Sequence, residues 1–365
     1  MYKWGEVVIK GKRLDEQLMK YALMGGTILG GGGGGSSEWG LSSGNVALEY
    51  GELELVDIED VEDDMLIITA SAVGAPAAVD KYVKPKDYVR TIEILQENTG
   101  LKVGGIITNE NGGAATVNGW IQSAVLNIPL IDAPCNGRAH PTGTMGSMGL
   151  HNIPDYVSVQ AIAGGNPELG NYMEAFFKGN ITKVSALVRQ SAVQAGGLVA
   201  VARNPVTAKY VRENGALYGI SHAIEVGESF YRGFETSPKD AITNVVVTLK
   251  GDIVTEGQVM DLDLVTKGGF DVGKVKINDY ELTFWNEYMT LEKGKDRIGT
   301  FPDLIMTFDK DTGLPLTTAE IKKGQNVVVI ATNKENIKLG SAMYDEELLK
   351  EIEPVVSREI LKYVL

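Results

Sequence analysis

One cysteine and three histidines are all the thiol and imidazole this chain offers. Cys135, His140 and His151 fall together in residues 131–151, IDAPCNGRAHPTGTMGSMGLH. Asp132, Asn136 and Arg138 share that stretch, set among glycines and held by Pro134 and Pro141. Two chemistries suit these residue types. In the first, Asp132, Cys135 and His140 supply carboxylate, thiolate and imidazole to a divalent metal, zinc by preference. His151 or His222 would complete the tetrahedron or leave a position for water. The spacing fits no standard zinc module. In the second, Cys135 is a nucleophile, with His140 or His222 as base and Arg138 lowering the thiol pKa. Asn136 and the amides of Gly112 and Gly113 would then polarise the attacked group. Arg138 is equally suited to holding a substrate carboxylate or to pairing with Asp132 or Glu110.

Apolar runs dictate what positions these groups. Met65–Val73 (MLIITASAV) and Val103–Thr108 read as buried strands, as does 126–131, which leads into the reactive stretch. Helical patterns over 88–96 and 114–125 alternate with them. Alternation with short links predicts an α/β unit, a mainly parallel sheet flanked by helices. The polar loops at 109–113, carrying Glu110 and Asn111, and at 132–151 would then leave strand ends at one sheet edge, where open α/β sheets keep their ligands. His222 lies on a helical stretch over 219–232, three residues before Glu225.

An amphipathic helix over 14–23 runs into Gly25-Gly26 and then six glycines, Gly30 to Gly35. No strand precedes the run, so a dinucleotide fingerprint does not hold. Bare amides of Gly32, Gly33, Gly34 and Gly35 could instead cradle an anion or a carbonyl oxygen. Nine acids and no base lie in 49–64, a solvated face. After about residue 240 strand signals dominate, over 244–249, 259–265, 272–277, 282–289, 304–308 and 326–330. Gly268–Lys274 matches G-x-x-x-x-G-K, but Val275 replaces the Ser/Thr and no helix follows, so it is no P-loop. The expected organisation is an α/β domain over 1–240, a β-rich domain over 241–335, and closing helices over 336–365 that pack back on the first domain.

With 365 residues, 44% hydrophobic and 22% charged, the chain has material for a large core. Its net charge of −14 argues against nucleic acid and anionic membranes as partners. A lone cysteine, no basic-then-apolar leader and no long apolar run point to the cytoplasm. A small-molecule substrate and a homo-oligomer are the expected associations.

Four stretches, GGTILGGGGGG, NENGG, DAPCNGRAHP and FWNEYMTLEKGKDRIGTFPDLIMTFDKDTGLPL, resemble the S-methyl-thiohydantoin desulfurase-like family. The likeness runs in order through about residues 10–335. It implies an N-terminal α/β domain, a β-rich C-terminal domain, and action on hydantoin- or thiohydantoin-like rings, with metal-dependent loss of sulfur in some members. It also implies association with hydantoinases and oxoprolinases, so a non-catalytic subunit or ligand-binding partner of such an enzyme is the alternative. The family pattern reads Asp-x-Asp before the core Gly137-Arg138-Ala139 and Phe-Pro-Glu after it. Here Pro134 stands at the second aspartate, Cys135 follows, and His140-Pro141-Thr142 replaces Phe-Pro-Glu. Trading two carboxylates for a thiol and an imidazole softens the ligand set and favours zinc. On this reading Asp132, Cys135 and His140 bind metal, and Cys135, His140 and His222 carry the chemistry. Glu110, Asn111, Asn136, Arg138 and Gly32 to Gly35 contact the substrate.

Overall fold

The computed structural model describes residues 2–4, 7–9, 11–74 and 78–364. Two eight-stranded sheets organise them. The first runs in the order Lys12–Leu14, Leu53–Val56, Leu130–Ile131, Gly105–Thr108, Leu66–Gly74, Leu198–Thr207, Ser158–Gly164, Met173–Gly179. Leu53–Val56 through Leu66–Gly74 pair in parallel, and antiparallel strands continue the sheet on both sides.

Period-two alternation decides which helix covers which face. Ala200 and Ala202 pack with Tyr88, Ile92 and Leu95 of the Pro85–Thr99 helix. Val199 and Val201 pack on the other face with Val188 and Ala192 of the Ile181–Gln194 helix. A strand apolar at every position is therefore buried on both sides, as parallel-type sheets are.

The second sheet is antiparallel throughout: Asp296–Thr300, Glu287–Lys293, Tyr280–Trp285, Phe270–Ile277, Asp252–Lys267, Asn326–Thr332, Leu304–Asp309, Pro315–Leu316. The expected α/β unit followed by a β-rich unit is what the chain forms. The closing helix Glu346–Val356 packs Leu348, Leu349 and Ile352 against Trp285, Met289 and Phe301 of the second unit, with Met145 reaching in from the first.

Four local readings need correction. The 126–131 stretch is strand only at Leu130–Ile131, and 282–289 is broken at Asn286 into Tyr280–Trp285 and Glu287–Lys293. Residues 244–249 are not a strand: 244–248 belong to the Pro238–Thr248 helix, and Leu249 is its C-cap. Ser237 caps that helix through Asp240 N, and Pro238 opens it; this start signal outweighs the β-branched Val245-Val246-Val247 run. The first helix spans Glu16–Leu29, passing through Gly25 and Gly26 instead of stopping before them. A side chain at Gly25 would stand 1.8 Å from the Ala223 carbonyl, and one at Gly227 1.9 Å from the Tyr21 carbonyl. The glycines thus permit a close crossing with the Gly219–Phe234 helix. Ile28, Leu29 and Phe230 then join Leu304 and Met306 of the second sheet in one core, which fixes the two units together.

Candidate active site

Gly105–Thr108 and Leu130–Ile131 are parallel neighbours, so the loops after them leave the same edge. They meet through Glu110 and His140. The His140 amide donates to Glu110 Oε2 at 3.1 Å, and His140 Nε2 lies 3.1 Å from the same oxygen. That second contact is misaligned for a hydrogen bond, and neither ring nitrogen has a well-aligned partner among the described residues. The His140 side chain is 3% exposed and that of Glu110 11%. Both line a cavity of about 360 Å³.

The second unit supplies the facing wall. Asn286, at φ 57, turns the chain between Tyr280–Trp285 and Glu287–Lys293. Its Oδ1 accepts from Asp271 N, and the turn delivers Glu287 into the cavity. Glu287 Oε2 is buried with no hydrogen-bond partner among the described residues. Gly33 backs onto this carboxyl, for a Cβ there would stand 2.1 Å from Oε1.

Burial sets the protonation of all three groups. It raises Glu110 to about 7, an effect that the His140 amide and the guanidinium of Arg203 only partly offset. Burial, then the adjacent Glu110, push Glu287 well above the usual carboxylate range. Burial and Arg203 hold His140 down at about 3, so its ring is neutral.

Two further arginines line the cavity. Arg189 donates to the carbonyls of Gly74, Gly269 and Pro141 and stacks 4.3 Å over Phe270, tying three segments at the cavity wall. Arg203 enters from the Leu198–Thr207 strand, where a bulge between Arg203 and Val206, with Asn204 at φ 51, breaks the register. Bulges of this kind re-aim side chains beside functional sites.

The other sequence-derived candidates lie elsewhere. Asp132 caps the Gly219–Phe234 helix, its Oδ1 accepting from Ile220 N and Ser221 N and its Oδ2 from Ser221 Oγ. Cys135 is fully buried, its Sγ 3.2 Å from Thr69 Oγ1, and burial pushes the thiol up to about 11. His222 is half-buried on the Gly219–Phe234 helix beside Glu225 and Lys338, away from the cavity lining. Asn111 Nδ2 donates to the carbonyls of Gly137 and Gly219. Asn136 bridges the Met145 carbonyl and Gly340 N. Arg138 is buried, its Nη1 on the carbonyls of Pro302 and Asp303 and its plane 4.5 Å over Phe301, so it joins the two units. Of the glycines, Gly34 and Gly35 line the cavity, whereas the Gly32 carbonyl accepts from Thr318 N and Oγ1.

Asp132, Cys135 and His140 therefore do not fit a metal: the carboxylate is spent on a helix cap and the thiol on a hydroxyl. Among the described residues no group of three or more His, Cys, Asp or Glu side chains is assembled to hold one. Sequence reasoning missed Glu287, Arg189 and Arg203 as cavity residues. Arg203 had a signal, a lone charge in the apolar run LVAVAR. Glu287 lay inside the FWNEYM motif without being singled out.

Two domain descriptions match the chain: "S-Me-THD-like, N-terminal domain" over residues 18–169 and "S-Me-THD-like, C-terminal domain" over 179–338. The chain belongs to the S-methyl-thiohydantoin desulfurase-like family. The crystal structure of a protein from Chromobacterium violaceum superposes with a TM-score of 0.71 at 18% identity, covering 94% of this chain and 96% of that one. At that identity the likeness shows a shared fold. No curated protein matches. In this family member, the cavity draws Glu110 and His140 from the N-terminal match and Glu287 from the C-terminal one. The site exists only where the two meet. Among the described residues no helix is long and apolar enough to cross a membrane.

Proposed function

We propose that this chain is a hydrolase of hydantoin- or thiohydantoin-type rings that works by paired carboxyl acid–base chemistry. The observation that carries the reading is the pair of buried carboxyls, Glu110 and Glu287, that share one cavity with a neutral imidazole on the first. Two carboxyls held in different protonation states are the arrangement that divides acid from base. Family membership supplies the ring class.

For an S-methylthiohydantoin the steps balance with water alone. Glu110, ionised, takes a proton from water as its oxygen bonds to the ring carbon bearing sulfur. The C–S bond then breaks, and Glu287 gives its proton to the departing methanethiolate. As water adds, the electron pair of the ring C=N bond moves to nitrogen, and the hydroxyl proton passes to that nitrogen as the carbonyl forms. Water and thioether become hydantoin and methanethiol, and the proton on Glu110 returns to Glu287. His140 holds Glu110 through its amide and presents an uncharged ring to the cavity. Closing the site between two domains keeps bulk water out and strengthens every charge interaction inside it.

The test is thiol release from S-methylthiohydantoins, followed with a disulfide reagent, for wild type, Glu110→Gln and Glu287→Gln. Each variant is expected to lose about 10²–10⁴-fold in kcat, the usual contribution of a positioned acid or base. Full turnover in Glu110→Gln would end this reading.

A further inference from the structure

Three arginines bear on the cavity and are not equivalent: Arg189 and Arg203 line it, whereas Arg138 does not. Arg189 donates through Nη1 and Nη2 to three backbone carbonyls, and Arg138 donates through Nη1 to two while its Nε and Nη2 have no hydrogen-bond partner among the described residues; both lie over aromatic rings. Arg203 is 3% exposed, its Nε has no hydrogen-bond partner, and its guanidinium makes no hydrogen bond or ion pair to any described residue. Room for it is made by Gly143, where a Cβ would stand 2.9 Å from Nη1.

An unpaired buried guanidinium is expensive, because desolvation of the charge is returned only by a partner of opposite sign. Glu110 is the nearby carboxyl, but its Oε2 already accepts from the His140 amide. The missing partner must be a planar anion with two oxygens, the shape a guanidinium fork accepts bidentately. A tetrahedral dianion would set a second charge against Glu110 and Glu287. A carboxylate satisfies one cation with one charge.

We propose that Arg203 is the carboxylate receptor of this site, so that the ring substrate bears an acidic side chain that docks on Arg203 while the ring faces Glu110, His140 and Glu287. The proposal rests on the ring-hydrolase reading and narrows its substrate class. A cavity of about 360 Å³ holds a five-membered ring and a short acidic arm. It also gives a reason for a charge in the middle of an apolar strand that no hydrogen bond or ion pair to a described residue repays.

The experiment compares hydantoin-5-acetic acid with its primary amide, by titration calorimetry, on wild type, Arg203→Met and Arg203→Lys. Acid and amide differ in charge and hardly in shape. The expected result is at least tenfold tighter binding of the acid by wild type, less than twofold preference in Arg203→Met, and an intermediate ratio in Arg203→Lys. Arg203→Met should melt no lower than wild type, since it removes an unpaired buried charge. A lower melting temperature would mark the arginine as a structural element and overturn the proposal. Equal affinities of acid and amide for wild type would overturn it while leaving the ring reading intact. So would an acid preference that survives in Arg203→Met. Binding of neither ring would remove both.

Discussion

Replacing Glu110 by glutamine removes one proton equilibrium and little else, which makes its effect on stability calculable. The folded chain holds this carboxyl at about 7 against an ordinary 4.5. At about 1.4 kcal/mol per tenfold, burying the ionised form costs about 3 kcal/mol. The folded state binds the proton more tightly than the unfolded one. The stabilisation from protonated Glu110 is therefore complete below pH 4.5 and gone once the pH has risen past 7. Glutamine keeps an acceptor for the His140 amide and does not titrate. Between pH 5.5 and 8.5 the stability of wild type relative to Glu110→Gln should fall by about 2 kcal/mol. With an unfolding entropy of about 0.8 kcal/mol/K for a chain this long, that is about 2–3 °C in relative Tm. His140, neutral in the folded chain across this range, contributes alike to both proteins. Paired denaturant or thermal melts at half-unit steps of pH provide the readout. A stability difference that stays constant from pH 5.5 to 8.5 would show that Glu110 titrates as an ordinary carboxyl, and its assignment as a base poised near neutral pH would fail.

Cys135, fully buried and with its thiol held up at about 11, should resist thiol reagents in the native chain and react on denaturation. Cys135→Ala should retain turnover and lose about 1 kcal/mol of stability, the cost of one small buried group. Asp132→Ala removes a helix cap and should lower stability by about 2 kcal/mol, with kcat within a few-fold of wild type; loss of a bound metal on this substitution would contradict the capping role. Prolonged chelation should leave turnover unchanged, and its loss with recovery on adding zinc would refute the carboxyl mechanism. The rate should rise with pH through about 7 as Glu110 ionises, then fall as Glu287 loses its proton. In Glu287→Gln the alkaline limb should vanish from the residual rate.

Fold class was legible because it rests on local pattern. Runs such as MLIITASAV and LVAVA are apolar at successive positions, and only strands buried on both faces need that. The turn residues after 250 marked antiparallel pairing in the same way. Half of the site was legible for a related reason: two loops leaving neighbouring parallel strands must converge, and Glu110 and His140 do. What failed was the assignment of roles by residue type. Asp132 and Cys135 looked like ligands because thiol and carboxylate are rare in that stretch, yet one meets a helix N-terminus at Ile220 and the other a hydroxyl at Thr69. Those partners are separated in sequence from the reactive stretch, so spacing within it could not announce them. Glu287 failed for the same reason from the other side, since its meaning depends on a second domain closing over the first.

The polyglycine run makes that closure physical. Its carbonyls are sewn to the second unit, Gly31 to Tyr288 N and Gly32 to Thr318 N. Gly33 lies against Glu287, and a Cβ on Gly34, at φ +80, would stand 2.4 Å from the Gly112 Cα. No other residue type fits these positions together: Gly34 requires a left-handed backbone, and Gly33 requires the absence of a side chain. The run is thus neither a flexible linker nor a nucleotide cradle. It is a thin spacer of bare backbone between Gly112, next to Glu110, and the Glu287 carboxyl. Its thinness lets acids from the two domains share one cavity, where Glu110 raises the proton affinity of Glu287. Burial is the first cause of the raised proton affinity of both, and for Glu287 the charge of Glu110 adds to it. The glycines that resembled a phosphate loop in the sequence are, in the fold, what brings the acid to the base.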